Sequence, residues 1–273
     1  MWNKFLITLA LGAMLSGCGG GDGIGPYVTG IQGKSLLYGQ SAVIYVSGKY
    51  LRSDMIAETG SCTTPTFSTN SNTELAALNC KITQVGPFPV TIKSADGAVL
   101  YSATLTVLQP QVTLTTSLGV VVLELNPQAV PVTVGNFLRY VNGAFYPGTL
   151  FHRVIPGFMV QGGGYTTGLV KRTSSLAPIA LETNKGLSNL RSTIAMARTS
   201  DPNSATSEFF INLVDNLFLD YQSATSPGYA VFGTVVQGMP VVDAIAAVPT
   251  ATVGGFANVP TAEVTITSAV QTQ

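Results

Sequence analysis

The chain has 273 residues, long for one compact domain, so two domains are expected. Lysine plus arginine and aspartate plus glutamate each number 13, for a formal net charge of zero, and charged residues make up 10% of the chain against roughly 25% in an average soluble protein. This excludes a field that would steer the chain to nucleic acid or an acidic membrane surface, and leaves glycine, serine, threonine, asparagine and proline to supply polarity, which favours strands and turns over long helices.

The opening residues read as a targeting segment. Lys4 gives a positive start, and Phe5 to Leu15 is an apolar run too short for the ~20 residues of a membrane-spanning helix. Leu15-Ser16-Gly17-Cys18 then resembles the lipobox of bacterial lipoproteins. The resemblance implies a leader over residues 1–17, cleavage before Cys18, and acylation of that cysteine as a membrane anchor. Gly19 rather than aspartate at the next position implies the outer rather than the inner membrane. An ordinary secretory signal is the alternative, but no A-x-A-like site lies nearby. Residues 18–25 carry the glycine-rich GGGDGIG, read as a flexible tether because no strand precedes it and no Lys-Ser/Thr pair follows to make a phosphate loop. The expected location is the cell envelope, facing the periplasm or the surface.

Residues 26–108 carry short strands and turn signals. Ser41 to Val46 is an apolar strand closed by Ser47-Gly48, and Val90 and Ile92 alternate with Thr91 and Lys93 ahead of Asp96-Gly97. Tyr101, Ala103, Leu105 and Val107 then alternate with Ser102, Thr104 and Thr106, so Asp-Gly joins a hairpin. The spacing predicts a small β-sandwich, and Tyr27 to Leu51 resembles the immunoglobulin-like repeats of bacterial surface proteins. Cys62 and Cys80 lie 18 residues apart (80 − 62). In an oxidising compartment they are expected to form a disulfide worth about 3 kcal/mol, two buried thiols being the alternative.

Gln109-Pro110 marks a change of texture, and residues 109–273 form the second expected domain. Strands are read at Val112 to Thr116, Gly119 to Leu125, Gly148 to Ile155, Phe158 to Gln161, Ser192 to Ala197, Glu208 to Val214, Ala230 to Val236 and Ala262 to Val270. Val134, Phe137, Leu138 and Val141 make a helical stripe, with Thr133 as N-cap and Asn142-Gly143 as the stop. Met239, Val242, Ile245 and Ala246 make a second. About eight strands and two helices predict a closed barrel with helices plugging its ends.

Three blocks carry the chemistry. Phe151 to Gly163 reads FHRVIPGFMVQGG. Ile194-Ala195-Met196-Ala197-Arg198 and Ser207-Glu208-Phe209-Phe210-Ile211-Asn212 form a second, and Tyr229 to Met239, YAVFGTVVQGM, a third. In that order they resemble the cyclophilins, above all the bacterial periplasmic type, over about Gln111 to Gln273. The resemblance implies for these residues a cyclophilin-like eight-stranded barrel capped by two helices, acting as a peptidyl-prolyl cis-trans isomerase on proline-containing polypeptides without cofactor or metal; with the immunoglobulin-like sandwich read ahead of it, the whole chain is expected to be mainly β. It implies Arg153 as catalytic donor, Gln161 positioning the substrate carbonyl, and Phe158, Met159, Phe210 and Leu219 lining the proline pocket. Ala197 and Arg198 would give backbone hydrogen bonds to the peptide, and Tyr229 would close the rim. Glu208 stands where the family usually has glutamine and is expected to pair with Arg153. Phe218 stands where many eukaryotic members have tryptophan.

These residue types suit the reaction. Rotation about X-Pro breaks amide resonance against a barrier of about 18–20 kcal/mol, and the nitrogen regains a lone pair that a donor stabilises. A rate gain of ~10⁴ needs about 5.5 kcal/mol, whereas one hydrogen bond from a charged group gives roughly 1.5–3 kcal/mol, so positioning and a dry pocket must supply the remainder. His152, the sole histidine, invites a general-base reading, but no G-x-S-x-G supplies a nucleophile, and a structural role is expected. Gly162 to Gly164 is no dinucleotide loop, since Thr167 occupies the third glycine position, and reads as a tight strand exit. An isomerase, a proline-peptide-binding chaperone with little turnover, and a surface scaffold or adhesin working through residues 26–108 remain as functional readings.

Overall fold

The computed structural model describes residues 25–68, 72–174 and 176–273. The leader, Cys18 and nearly all of the tether lie outside these residues. The described residues divide into two compact units that part between Leu108 and Gln109.

The first unit is built from seven antiparallel strands: β1 (Tyr27–Lys34), β2 (Ser41–Lys49), β3 (Ile56–Thr59), β4 (Cys62–Phe67), β5 (Leu75–Ile82), β6 (Gly86–Lys93) and β7 (Val99–Val107). One sheet runs β1-β2-β5-β4 and the other β3-β6-β7. Period-2 alternation turns Ile44, Leu78, Ile82, Val90 and Ile92 into one shared core, each fully buried. Asp96-Gly97 turns β6 into β7, with Gly97 at φ 89°. Strand β2 does not close at Ser47-Gly48 as the sequence reading has it. Gly48 pairs with Val28 and the ladder continues to Lys49. A disulfide joins Cys62 on β4 to Cys80 on β5, Cα atoms 5.2 Å apart.

The second unit contains β8 (Gln111–Thr116), β9 (Gly119–Leu125), α1 (Pro131–Asn142), β10 (Thr149–Ile155), β11 (Met159–Thr166), β12 (Val170–Lys171), β13 (Thr193–Met196), β14 (Phe209–Asn212), β15 (Val231–Gln237), α2 (Met239–Ala246), β16 (Thr250–Val253), β17 (Phe256–Pro260) and β18 (Ile266–Gln271). Eight strands follow the order β10-β11-β14-β13-β15-β9-β8-β18, with β12 an extra partner of β11. The bridge between Leu150 and Thr265 brings the two ends together, so the barrel is nearly closed. Both helices bury an apolar face. Phe137 of α1 sits in an aromatic cluster with Tyr146, Phe209 and Phe232, ring centroids 5.3, 5.8 and 5.0 Å away. Such contacts add roughly 0.5–1.5 kcal/mol each beyond area burial.

The structure corrects the helix start. Helix α1 begins at Pro131, pre-set for the first helical position, and Val130 is the N-cap with no side-chain cap bond. Thr133 lies inside the first turn. Its hydroxyl and amide donate to Glu182 Oε2 at 2.8 and 2.7 Å, and the Val132 amide donates to Oε1 at 3.3 Å. A carboxylate about fifty residues downstream thus satisfies the free N–H groups and complements the helix dipole. We expect Glu182→Ala to lower the unfolding free energy by about 1–2 kcal/mol, read as a lower urea midpoint at unchanged slope.

Candidate active site

The site grows from strand register. Arg153 on β10 stands opposite Gln161 on β11, Gln161 opposite Phe210 on β14, Phe210 opposite Ala195 on β13, and Ala195 opposite Val231 on β15. Opposed residues share a sheet face, so one row crosses five strands. Alternation along β14 sends Phe209 into the aromatic core with Phe137 and Phe151 while Phe210 joins Met159, Ala195 and Val231 in a separate apolar cluster. One pair of adjacent phenylalanines thereby serves both faces.

Around that cluster lies a cavity of about 130 Å³ lined by Arg153, Phe158, Met159, Gln161, Ala197, Arg198, Phe210, Leu219 and Tyr229. This is well under the roughly 300–1,000 Å³ of drug-sized sites and suits a single small ring. Met159 and Phe210, 2% and 4% exposed, form its floor. Tyr229 packs edge-on to Phe210 at 5.6 Å, while the Arg198 guanidinium lies 4.6 Å over the Tyr229 ring and donates from Nε to the Gly228 carbonyl at 3.0 Å. The Arg198 side chain therefore holds the tyrosine in place. The Ala197 amide already donates to the Glu208 carbonyl at 2.9 Å, so its own carbonyl is the group left for a bound peptide.

Two sequence-predicted residues fall outside the lining. Phe218 stands on a short 3-10 turn, Leu217–Leu219, 67% exposed, and stacks on Phe158 with centroids 5.7 Å apart. It extends the apolar rim. Glu208 sits behind Gln161, and the expected Glu208–Arg153 pair does not form. Instead Gln161 Nε2 donates to Glu208 Oε2 at 2.9 Å, His152 Nε2 lies 3.4 Å from the same oxygen, and Arg153 reaches only Gln161 Oε1, at 3.4 Å. The cause is a β-bulge. Phe151 pairs with Gly162 and Arg153 with Gln161, which leaves His152 as the extra residue and turns its ring to Glu208. Gly162 to Gly164 also proves to be mid-strand rather than a strand exit: Gly163 has φ 85° and β11 runs on to Thr166.

The sequence reading missed the brace behind the pocket. Asn216 Nδ2 donates to the Phe158 carbonyl at 2.9 Å and to Asn212 Oδ1 at 2.8 Å. Asn212 Nδ2 donates to Asn189 Oδ1 at 3.2 Å, and Asn189 Nδ2 to Asp220 Oδ1 at 2.8 Å. All three asparagines are buried, so each unmade bond would carry a desolvation penalty. The network ties Phe158 to the turn carrying Phe218 and Leu219.

Comparison with known proteins places residues 111–271 in one family. The family model described as cyclophilin type peptidyl-prolyl cis-trans isomerase/CLD matches residues 111–271. Peptidyl-prolyl cis-trans isomerase A of Dickeya dadantii (strain 3937) is 54% identical over 158 residues, covering 58% of this chain and 82% of that protein. Peptidyl-prolyl cis-trans isomerase B of Escherichia coli (strain K12) is 48% identical over 159 residues, covering 58% and 96%. The crystal structure of a Cryptosporidium parvum cyclophilin type peptidyl-prolyl cis-trans isomerase superposes with a TM-score of 0.53 at 25% identity, covering 60% of this chain and 98% of that one. The chain belongs to the cyclophilin-type peptidyl-prolyl cis-trans isomerase family, and its activity is interconversion of cis and trans X-Pro bonds in folding polypeptides.

Electrostatics at Glu208 give a testable pH dependence. Burial pushes its carboxyl up, but the His152 hydrogen bond and charge, the Gln161 amide and the Lys171 charge together outweigh this and hold it below the usual value. With the folded pKa below the unfolded one, the unfolded chain binds more protons in that window, so stability rises with pH. The contribution is fully present above the unfolded value of 4.5 and is lost as pH falls through the lower folded value. Urea unfolding across pH 3–6, chosen as roughly one to two units either side of an ordinary carboxylate, should show a shallower fall for Glu208→Gln than for the wild type.

Proposed function

We propose that the chain is an envelope lipoprotein in which residues 26–108 form an immunoglobulin-like spacer and residues 109–273 isomerise prolyl bonds in clients exposed outside the cytoplasm. The observation that carries the isomerase half is the placement of the Arg153 cation beside a small pocket floored by Met159 and Phe210. A prolyl ring enters the pocket and the Arg153 guanidinium donates to the prolyl nitrogen as amide resonance is lost. Gln161 holds the carbonyl side of the bond, the Ala197 carbonyl takes up a peptide N–H, and Phe158, Leu219 and Tyr229 wall the ring. The related C. parvum isomerase has been crystallised in the presence of the dipeptide Ala-Pro, which supports a proline-containing ligand for this site.

The envelope half is supported by the lipobox-like Leu15-Ser16-Gly17-Cys18. The Cys62–Cys80 bond also belongs with an oxidising compartment. Two packed sheets sharing one core support the immunoglobulin-like reading of residues 26–108.

Arg153→Ala in the full chain should cut kcat/KM on a short X-Pro peptide roughly 10- to 100-fold, the equivalent of one charge-assisted hydrogen bond. An unchanged rate would show that the guanidinium is not the donor. Cys18→Ser should move the expressed chain from the membrane to the soluble fraction after lysis, and retention at the membrane would rule out the lipid anchor.

A further inference from the structure

Glu208 is a charged group behind the pocket that the reaction as derived does not use. It forms part of a directional chain of hydrogen bonds. An ionised carboxylate only accepts and a guanidinium only donates, so the amide between them has a single compatible orientation. Gln161 must present Nε2 to Glu208 and Oε1 to Arg153, as the distances of 2.9 and 3.4 Å show. Both are charge-assisted, and the shorter, to Glu208, is the better formed of the two.

Two further features hold the carboxylate in place. His152, 5% exposed, has Nε2 3.4 Å from Glu208 Oε2, while Nδ1 has no hydrogen-bond partner among the described residues. The Glu208 contact is thus the one polar tie found for that ring. On the other side Gly164 leaves room: a Cβ there would lie 2.5 Å from Glu208 Cδ and 2.6 Å from Oε1. The glycine run in β11 and the bulge in β10 are the two local features that let a carboxylate reach behind Gln161.

We propose that Glu208 is a positioning residue for isomerisation, an acceptor-only carboxylate that fixes the Gln161 amide with its oxygen toward Arg153. A glutamine at this position can donate as well as accept, so only the longer 3.4 Å contact with Arg153 would then disfavour turning of the Gln161 amide. Turned, Gln161 would set its NH2 against the guanidinium, two donors facing, and Arg153 would lose its tether. Glu208 acts through Gln161 and has no need to touch the substrate.

The inference rests on the isomerase assignment, and one experiment separates the two. The full chain and its Glu208→Gln variant are compared for kcat and KM on an X-Pro peptide, with the Gln161 side-chain NH2 signals followed by NMR. We expect kcat to fall roughly five- to tenfold with KM within about twofold, as for one lost hydrogen bond. The Gln161 signals should lose the downfield shift of a carboxylate bond. An inactive wild type would overturn the isomerase reading itself. An active wild type whose kcat, or whose Gln161 signals, are unmoved by Glu208→Gln would overturn the positioning role.

Should the variant fail to fold, titration of the wild type decides. The ionisable groups facing Glu208 are His152 on β10, Tyr165 on β11 and Lys171 on β12, with Arg153 beyond Gln161. Coincident midpoints for kcat and the Gln161 signals, below the ordinary carboxylate range, support the proposal. Separate midpoints overturn it.

Discussion

The functional part of this chain depends on the pairing of β10 with β11. Because Arg153 stands opposite Gln161, and Gln161 opposite Phe210, a cation, an amide and an apolar floor lie on one sheet face. A slip of one residue in the adjoining ladder, β11 with β14, would send Phe209 to the pocket and Phe210 to the aromatic core. The close ring packing of Phe209 with Phe137, Tyr146 and Phe151 resists such a slip. Core packing and site geometry are therefore one constraint, since the same ladder serves both faces.

In the proposed mechanism, stabilisation of the twisted amide is divided among several groups. Arg153 is too weak alone to account for a large rate gain. The remainder falls to the pocket, whose walls are fixed by side chains that do not react: Arg198 over Tyr229, Phe218 against Phe158, and buried asparagines behind both. A small dry cavity needs walls that do not shift, and here polar networks anchor apolar walls. Rigidity at this scale serves positioning.

Much of this was legible in the sequence, for physical reasons. Alternation in Val112 to Thr116 and the helical stripe from Val134 to Val141 are local patterns, and local patterns specify local structure. The three motif blocks carried the pocket residues other than Leu219 because each lies on a strand or turn whose direction follows from its neighbours. Two of the misreadings were non-local. Thr133 looked like an N-cap because threonine usually is one, but the capping carboxylate, Glu182, lies far along the chain. Glu208 was matched with the nearest opposite charge by motif, whereas the bulge at His152 placed a histidine there first. The hairpin of β16 and β17 was missed although Gly254-Gly255 between Val253 and Phe256 is a recognisable two-residue turn signal.

The pairing of β8 with β18 bears on how the protein is made. Val112 and Gln271 are partners across most of the second unit, so the barrel cannot close until the residues up to Gln271 have emerged. The seven-stranded first unit precedes it in sequence and completes its ladders within its own residues, so it can settle while later residues are still emerging. Long-range strand pairing of this kind also slows collapse to the native state. An enzyme that relieves slow steps in the folding of other chains thus begins its own existence with an open barrel, waiting for its last strand.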